Sequence, residues 1–357
     1  MPDLTGLLSA AETAAEVAAR HAATADTDRR LSDEVVETLI TAGFARRFVP
    51  EHLGGAPVGF TELMESVATV AEGCASAGWV ASLMAQGARI SGYLPAEGQA
   101  EVWAKGPDTL VVVGFVSQGS VRAVDGGWVL SGDWPYVSGI EFSEWALLLA
   151  DDGDGARFFA VPRPDYGITE SWFTLGMRAT GSHSLTLDEV FVPAHRSFPR
   201  DEMFLGRPAV SREPFHTAPL FAVNGLTFGS PVLGAARGAL KLAARTLPAR
   251  DAARTGFARA AGEIEAATLL LTRVAENADL GLYDEDRLRR ASLDSALAVD
   301  LLAGAVERVF AEAGTRGQRE TQPLNRVWRD VRVAAGHGAL RFEPAAMRFT
   351  EPLLSAS

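Results

Sequence analysis

The sequence offers few groups that could act together in acid–base or metal chemistry. Its six histidines, His21, His52, His183, His195, His216 and His337, are scattered. No two stand four residues apart, the spacing that lets one helix face present two imidazoles to zinc. The single cysteine, Cys74, excludes an internal disulfide and any cysteine-rich metal centre. It lies in an Ala/Gly-rich helical stretch, where a buried small side chain is expected. His337 has the most suggestive surroundings. On a helix, positions 326, 330, 333 and 337 fall on one face, so Arg326, Asp330 and His337 would share a side. Asp330 and His337 would then be two turns apart, about 10 Å along the axis and too far for a hydrogen bond. An imidazole with an ordinary pKa near 6.5 can give or hold a proton at neutral pH. A second cluster places two flat aromatic side chains and a hydroxyl in one short segment, Trp134, Tyr136 and Ser138. Read alone, these are two core aromatics and a turn serine.

Other chemistries lack their residues. No glycine-rich loop with phosphate-binding spacing joins a strand to a helix, and no serine sits in a nucleophile elbow. Asp151-Asp152-Gly153-Asp154-Gly155 lacks the later bidentate glutamate of a calcium loop and reads as a hairpin tip. The net charge of −12, without a basic block, argues against nucleic acid. No apolar run is long enough for a membrane span, and Met1–Ala25 is a polar-faced helix without a signal peptide's cationic start, so a cytoplasmic location is expected. An enzyme built this way would draw its chemistry from a bound organic cofactor.

The elements that must position these residues follow from periodicity. Residues 1–106 read as helices. Ser32 caps a helix with an apolar face at Val35, Val36, Leu39 and Ile40, ended by Gly43, and Thr61 caps the next. From Thr109 the pattern becomes short β-branched runs divided by Gly, Asp and Pro, with Asp125-Gly126-Gly127 as a turn, which suggests a small sandwich or barrel. After Pro208 the helical period returns over about 219–247, 254–281, 285–313 and 323–341, an antiparallel four-helix bundle. The expected domains are 1–106 (helical), 107–205 (middle β-barrel) and 206–357 (four-helix bundle), an α+β fold that is mostly α.

Three stretches resemble a known family. Asp125 to Gly139 looks like the flavin-facing strand and loop of the acyl-CoA dehydrogenase superfamily. Leu175 to Ser182, leading into Asp188-Glu189-Val190-Phe191-Val192-Pro193, resembles its second signature. Pro323 to Val331, followed by His337, is similar to the last-helix signature of one branch, the group D two-component flavin-dependent monooxygenases. The resemblance runs from the Pro50 loop to the last helix and implies an acyl-CoA dehydrogenase-like fold, usually a homotetramer.

It implies further an oxidoreductase that takes reduced flavin from a separate reductase, with O2 adding at C(4a), to hydroxylate an aromatic, polyketide-like or amine small molecule. Trp134, Tyr136 and Ser138 would then face the flavin ring, with Ser138 near N5. Arg178 and Ser182 would contact the flavin or its phosphate, and His337 would act near C(4a). The absence of a glycine-rich pyrophosphate segment points to reduced FMN, with FAD as the alternative. Phenol hydroxylases of the branch place a histidine about eight residues beyond the tryptophan matching Trp79. Here Met84-Ala85-Gln86-Gly87-Ala88 holds none, so Trp79 and Gln86 mark the substrate pocket without implying a simple phenolate mechanism. An acyl-CoA dehydrogenase would need a carboxylate base in a Tyr-Glu-Gly context, which is absent. A non-catalytic ligand-binding descendant is the remaining alternative. A short Pro248–Arg254 linker and a brief tail after His337 would reshape the pocket wall.

Overall fold

The computed structural model describes residues 6–116, 118–247 and 250–354. Its N-terminal part holds α1 (Leu7–Asp28), α2 (Asp33–Ala42), α3 (Phe60–Gly73), α4 (Ala75–Ser91) and α5 (Ala96–Val102). Then come β1 (Val111–Gly114), β2 (Ser120–Val124), β3 (Gly127–Val137), β4 (Trp145–Asp151), β5 (Ala156–Pro162), β6 (Gly167–Thr169), β7 (His183–Pro193) and β8 (Ser197–Pro199). The remainder is helical: α6 (Arg200–Phe204), α7 (Pro214–Thr217), α8 (Leu220–Thr246), α9 (Asp251–Asp279), α10 (Glu285–Glu312), α11 (Gly314–Gly317), α12 (Pro323–Ala334) and α13 (Phe342–Leu354). The sheets lie in the middle of the chain between two helical parts, the succession expected of an acyl-CoA dehydrogenase-like fold. We propose the divisions 1–106, 107–205 and 206–357 on this distribution of elements. Of the short linker, Pro248 and Ala249 lie outside the described residues. The tail after His337 forms α13, which packs on α10.

The strands form two four-stranded sheets, ordered β1-β4-β5-β8 and β2-β3-β7-β6. Pairing is antiparallel except between β1 and β4. Trp134, Leu130, Leu148, Phe159 and Leu185 from both sheets meet in one apolar core. Gly126, at φ +80°, makes the turn between β2 and β3, and Asp151–Ala156 closes the β4–β5 hairpin.

Helix ends follow the sequence in one place and depart from it in another. Ser32 Oγ accepts the Val35 N–H at 3.4 Å and Gly43 ends α2 at φ +89°, as its cap and stop residues require. Thr61, however, does not cap α3. Gly59 holds the cap position. The Asp279 carboxylate, from the end of α9, accepts the Phe60 and Thr61 N–H groups at 2.5 and 3.1 Å and the Thr61 hydroxyl at 2.7 Å. An anion there also meets the positive end of the α3 dipole. Asp279→Ala is expected to cost about 1–2 kcal/mol, the usual loss of a cap, read as a lower urea midpoint. An unchanged midpoint would show that water replaces the carboxylate without loss.

Two local features decide the site. β3 carries a register shift between Trp134 and Val137, with Tyr136 at φ +64°. The extra residue changes which side chains point inward: Trp134 and Val137 are fully buried, whereas Tyr136 is 64% exposed. The last long helix also stops early. α12 ends at Ala334 instead of reaching 341, because Gly336 and Gly338 around His337 are poor helix formers. His337 instead caps a 3-10 turn, Gly338–Leu340, so it does not share a helix face with Arg326 and Asp330.

Candidate functional site

A cavity of about 640 Å³ opens where α4, the β3 end, the 172–182 segment, α8 and the turn after α12 converge. α4 contributes Trp79, Leu83 and Gln86, and α8 contributes Phe221, Asn224 and Phe228. Both sets follow helical spacing, so each helix turns one stripe of side chains to the cavity. Trp79 packs on Phe228 with ring centroids 5.2 Å apart, and Ser82 Oγ donates to Thr227 O at 2.6 Å.

Ser138 and Ser182 both line the cavity, joined by a directed chain of hydrogen bonds. Trp79 Nε1–H donates to Ser138 Oγ at 3.2 Å. Ser138 Oγ lies 2.6 Å from Ser182 Oγ, which lies 2.7 Å from Thr180 Oγ1. Thr180 donates its one hydroxyl hydrogen to Met177 O at 3.0 Å. Each hydroxyl has a single proton, so Ser182 must donate to Thr180 and Ser138 to Ser182. Ser138 therefore meets a ligand with its remaining lone pair, as an acceptor only.

His337 closes the opposite side. Its ring stacks on Phe228 at 3.8 Å and meets Trp79 edge-on at 5.6 Å. Nδ1 accepts the Ala339 N–H at 3.3 Å, which assigns the proton of the neutral ring to Nε2. Burial against these aromatics lowers its pKa to about 4. At neutral pH His337 is thus a hydrogen-bond donor, not an imidazolium acid.

The two sides are tied together by Asp330. Its Oδ1 accepts the Met177 N–H at 2.5 Å. Met177 sits in the left-handed region at φ +52°, and its carbonyl receives both Thr180 Oγ1 and, at 2.8 Å, Trp172 Nε1. Burial raises the Asp330 pKa to about 7. This residue of α12 therefore orients the peptide that ends the hydroxyl chain. His183 is peripheral but supporting: its Nδ1 accepts the Ser171 and Trp172 N–H groups at 3.1 and 3.2 Å.

Two expected site residues lie elsewhere. Trp134 does not face the cavity; it is fully buried between the sheets and donates to Leu149 O at 2.8 Å. The bulge at Tyr136 is the reason. Arg178 also stays outside the lining, 3.7 Å from Asp26 and bonded to Leu175 O at 3.2 Å. Arg329 shares Asp26 through two bonds of 3.0 and 2.6 Å. Tyr136 reaches the cavity at its rim, edge-on to Trp172 at 6.3 Å. Trp79 and Gln86 line the cavity together. The sequence reading missed Thr180, Trp172, Asn224 and Phe228. Thr180 lay inside a quoted motif and its hydroxyl was the available signal. Phe228, in a helix rich in apolar residues, carried none.

The acyl-CoA dehydrogenase N-terminal domain family matches residues 7–102 and the C-terminal domain family matches residues 226–342. Among relatives, the flavin-dependent monooxygenase oxygenase subunit HsaA of Rhodococcus jostii (strain RHA1) is 29% identical over 87% of this chain and 88% of its own length. The oxygenase component of an FADH(2)-dependent resorcinol hydroxylase from Rhizobium sp. (strain MTP-10005) is 27% identical over 91% and 88%. The structure of XiaF from Streptomyces sp., in complex with FADH2 and glycerol, superposes with a TM-score of 0.92 at 25% identity over 99% and 96%. With both terminal domain families matched and near full-length likeness to oxygenase subunits, the chain belongs to the acyl-CoA dehydrogenase superfamily and is an oxidoreductase of its two-component flavin-dependent monooxygenase branch.

Proposed function

We propose that the cavity seats the ring of a reduced flavin against Ser138, with an aromatic small molecule beside it under His337, and that the protein hydroxylates that molecule with O2. One observation carries this reading: Ser138, left as an acceptor, and His337, left as a donor, line the same apolar cavity, both in contact with Trp79. The residues fit such a group. The volume lies within the range of about 300–1,000 Å³ usual for ligand sites, and an acceptor-only hydroxyl suits the N–H of a reduced ring. A flavin bound there would supply the two electrons that let one oxygen atom of O2 enter the substrate and the other leave as water. The chain's own groups do the rest: Ser138 holds the ring N–H, Tyr136 and Trp172 cover the rim, the apolar lining keeps water out, and His337 donates a hydrogen bond to oxygen at the reacting position.

Arg178 and Arg329, engaged by Asp26, are not assigned to the flavin phosphate. On the flavin itself two lines of support differ: the missing glycine-rich segment favours FMN, while the FADH2 named for two similar proteins favours FAD. A separate reductase supplies it. A homotetramer is part of the proposal, supported by exposed Leu269 on α9 and Met347 and Leu353 on α13. So is a cytoplasmic location; among the described residues no helix is long and apolar enough to cross a membrane. Acyl-CoA dehydrogenation is disfavoured, since among the described residues no Asp or Glu lines the cavity to take an α-proton.

The test is anaerobic titration with reduced FMN and reduced FAD, then addition of O2 and substrate candidates. Micromolar binding of one reduced flavin, weakened about tenfold in Ser138→Ala by loss of one hydrogen bond, is expected. Absence of binding by both reduced flavins would sink the proposal.

A further inference from the structure

We propose that this cavity selects an uncharged fused-ring substrate whose hydroxyl or carbonyl oxygen is held by the Gln86 amide, and that it refuses molecules bearing a carboxylate. This rests on the oxygenase reading above and adds the substrate class to it.

The first support is charge. Among the described residues no Lys, Arg, Asp or Glu lines the cavity, and His337 is neutral from about pH 5 upward. A carboxylate entering it would lose its water without gaining a counterion, which is a large cost in apolar surroundings. Two guanidiniums approach the far end: Arg348 lies 4.1 Å over the Phe221 ring and Arg200 lies 5.0 Å over Phe204. Neither lines the cavity. Arg200 is paired with Asp201 at 2.9 Å, and Arg348 donates to Ser292 at 3.3 Å.

The second support is an unused polar group. Gln86 is 5% exposed, and its Nε2 has no hydrogen-bond partner. A buried amide left this way is unfavourable, and a ligand oxygen would give it the partner it lacks. Seven residues separate Gln86 from Trp79 on one face of α4, so it lies roughly 10 Å along the axis from the Ser138 end. Leu83 on α4 and Phe221 on α8 form apolar walls between the two ends. A molecule oxidised near His337 and bound by Gln86 must therefore bridge that length with flat, apolar rings. Asn224, half-buried on the α8 stripe, offers a second neutral amide at the same end.

The probes are 2-naphthol, 6-hydroxy-2-naphthoate and its methyl ester, titrated calorimetrically into the full-length protein with and without saturating reduced flavin under argon. The alcohol and the larger but neutral ester should bind at least about tenfold tighter than the acid. Gln86→Leu, which keeps the side-chain volume, should weaken 2-naphthol about tenfold and leave naphthalene unchanged. Asn224→Lys should bring the acid's affinity up to that of the ester. Equal binding of acid and ester overturns the proposal, as does failure of all three probes to bind at millimolar concentration. An unchanged 2-naphthol affinity in a folded Gln86→Leu protein removes Gln86 from it. If the probes are discriminated but no reduced flavin binds, the oxygenase reading fails while the selectivity stands.

Discussion

His337→Ala is expected to lower product formation about 100-fold, the usual scale for loss of one donor aimed at developing negative charge. The lost group is the Nε2–H, because Nδ1 is already engaged by Ala339. Alanine also removes a ring stacked 3.8 Å from Phe228, so His337→Phe is the necessary companion: it keeps the stacking and removes the donor. Both variants should bind reduced flavin nearly as well as the parent and divert consumed O2 into hydrogen peroxide. Recovery of product yield by phenylalanine would reduce His337 to a packing role.

The same geometry sets a pH dependence. With its pKa lowered to about 4, the folded-state ring stays neutral from about pH 5 upward, so product yield should be level across pH 6–9 with respect to this residue. An inflection near 6.5 that disappears in His337→Phe would show that the ring titrates normally. For stability the sign is fixed by linkage. Between about pH 4 and 6.5 the unfolded chain binds a proton here that the folded one refuses, so this contribution is lost as pH falls through that window.

Asp330 should give the second large effect. Asp330→Ala leaves the Met177 N–H without its acceptor, costing about 1–3 kcal/mol, and frees the left-handed peptide on which Thr180, Ser182 and Ser138 are aligned. Reduced-flavin affinity should therefore fall together with the unfolding midpoint. Asp330→Asn retains an acceptor oxygen and should preserve both near neutrality. Here the linkage runs opposite to that of His337. A carboxyl raised to about 7 is protonated when folded and ionised when unfolded between about pH 4 and 7, so wild-type stability is lost as pH rises through that range. One pKa unit corresponds to about 1.4 kcal/mol. Asp330→Asn should thus gain on the wild type by at least that amount between pH 5 and pH 8, measured as the difference in urea midpoints. A pH-independent difference would mean that Asp330 is ionised throughout, held so by Arg326 and Arg329.

Legibility in the sequence differed by residue. Ser138, Ser182, Trp79 and Gln86 were picked out in the sequence and line one cavity, although they come from α4, the β3 end and the segment before β7. Trp134 was expected at the flavin from the resemblance, but it is a core aromatic, as the residues read alone suggested, because the strand's pleat is broken after it. A single residue with positive φ, Tyr136, resets the phase, and no residue type there announces it. Arg178 lies beside a distant acid in the structure, and in sequence a guanidinium near a phosphate and one beside such an acid look identical. The acid, Asp26, lies on α1.

By itself the sequence determined the succession of helical, β-rich and helical segments and the family signatures that name the chemistry. These are local properties: period, turn residues and short motifs are written within a few consecutive residues. Only the tertiary structure decided that His337 leaves its helix to stack on Phe228, that Thr180 and Met177 give the hydroxyl chain its direction, and that Asp330 joins the two sides of the cavity. Each of these depends on contacts between residues far apart in the chain, and burial in those contacts, rather than residue type, sets the protonation of His337 and Asp330.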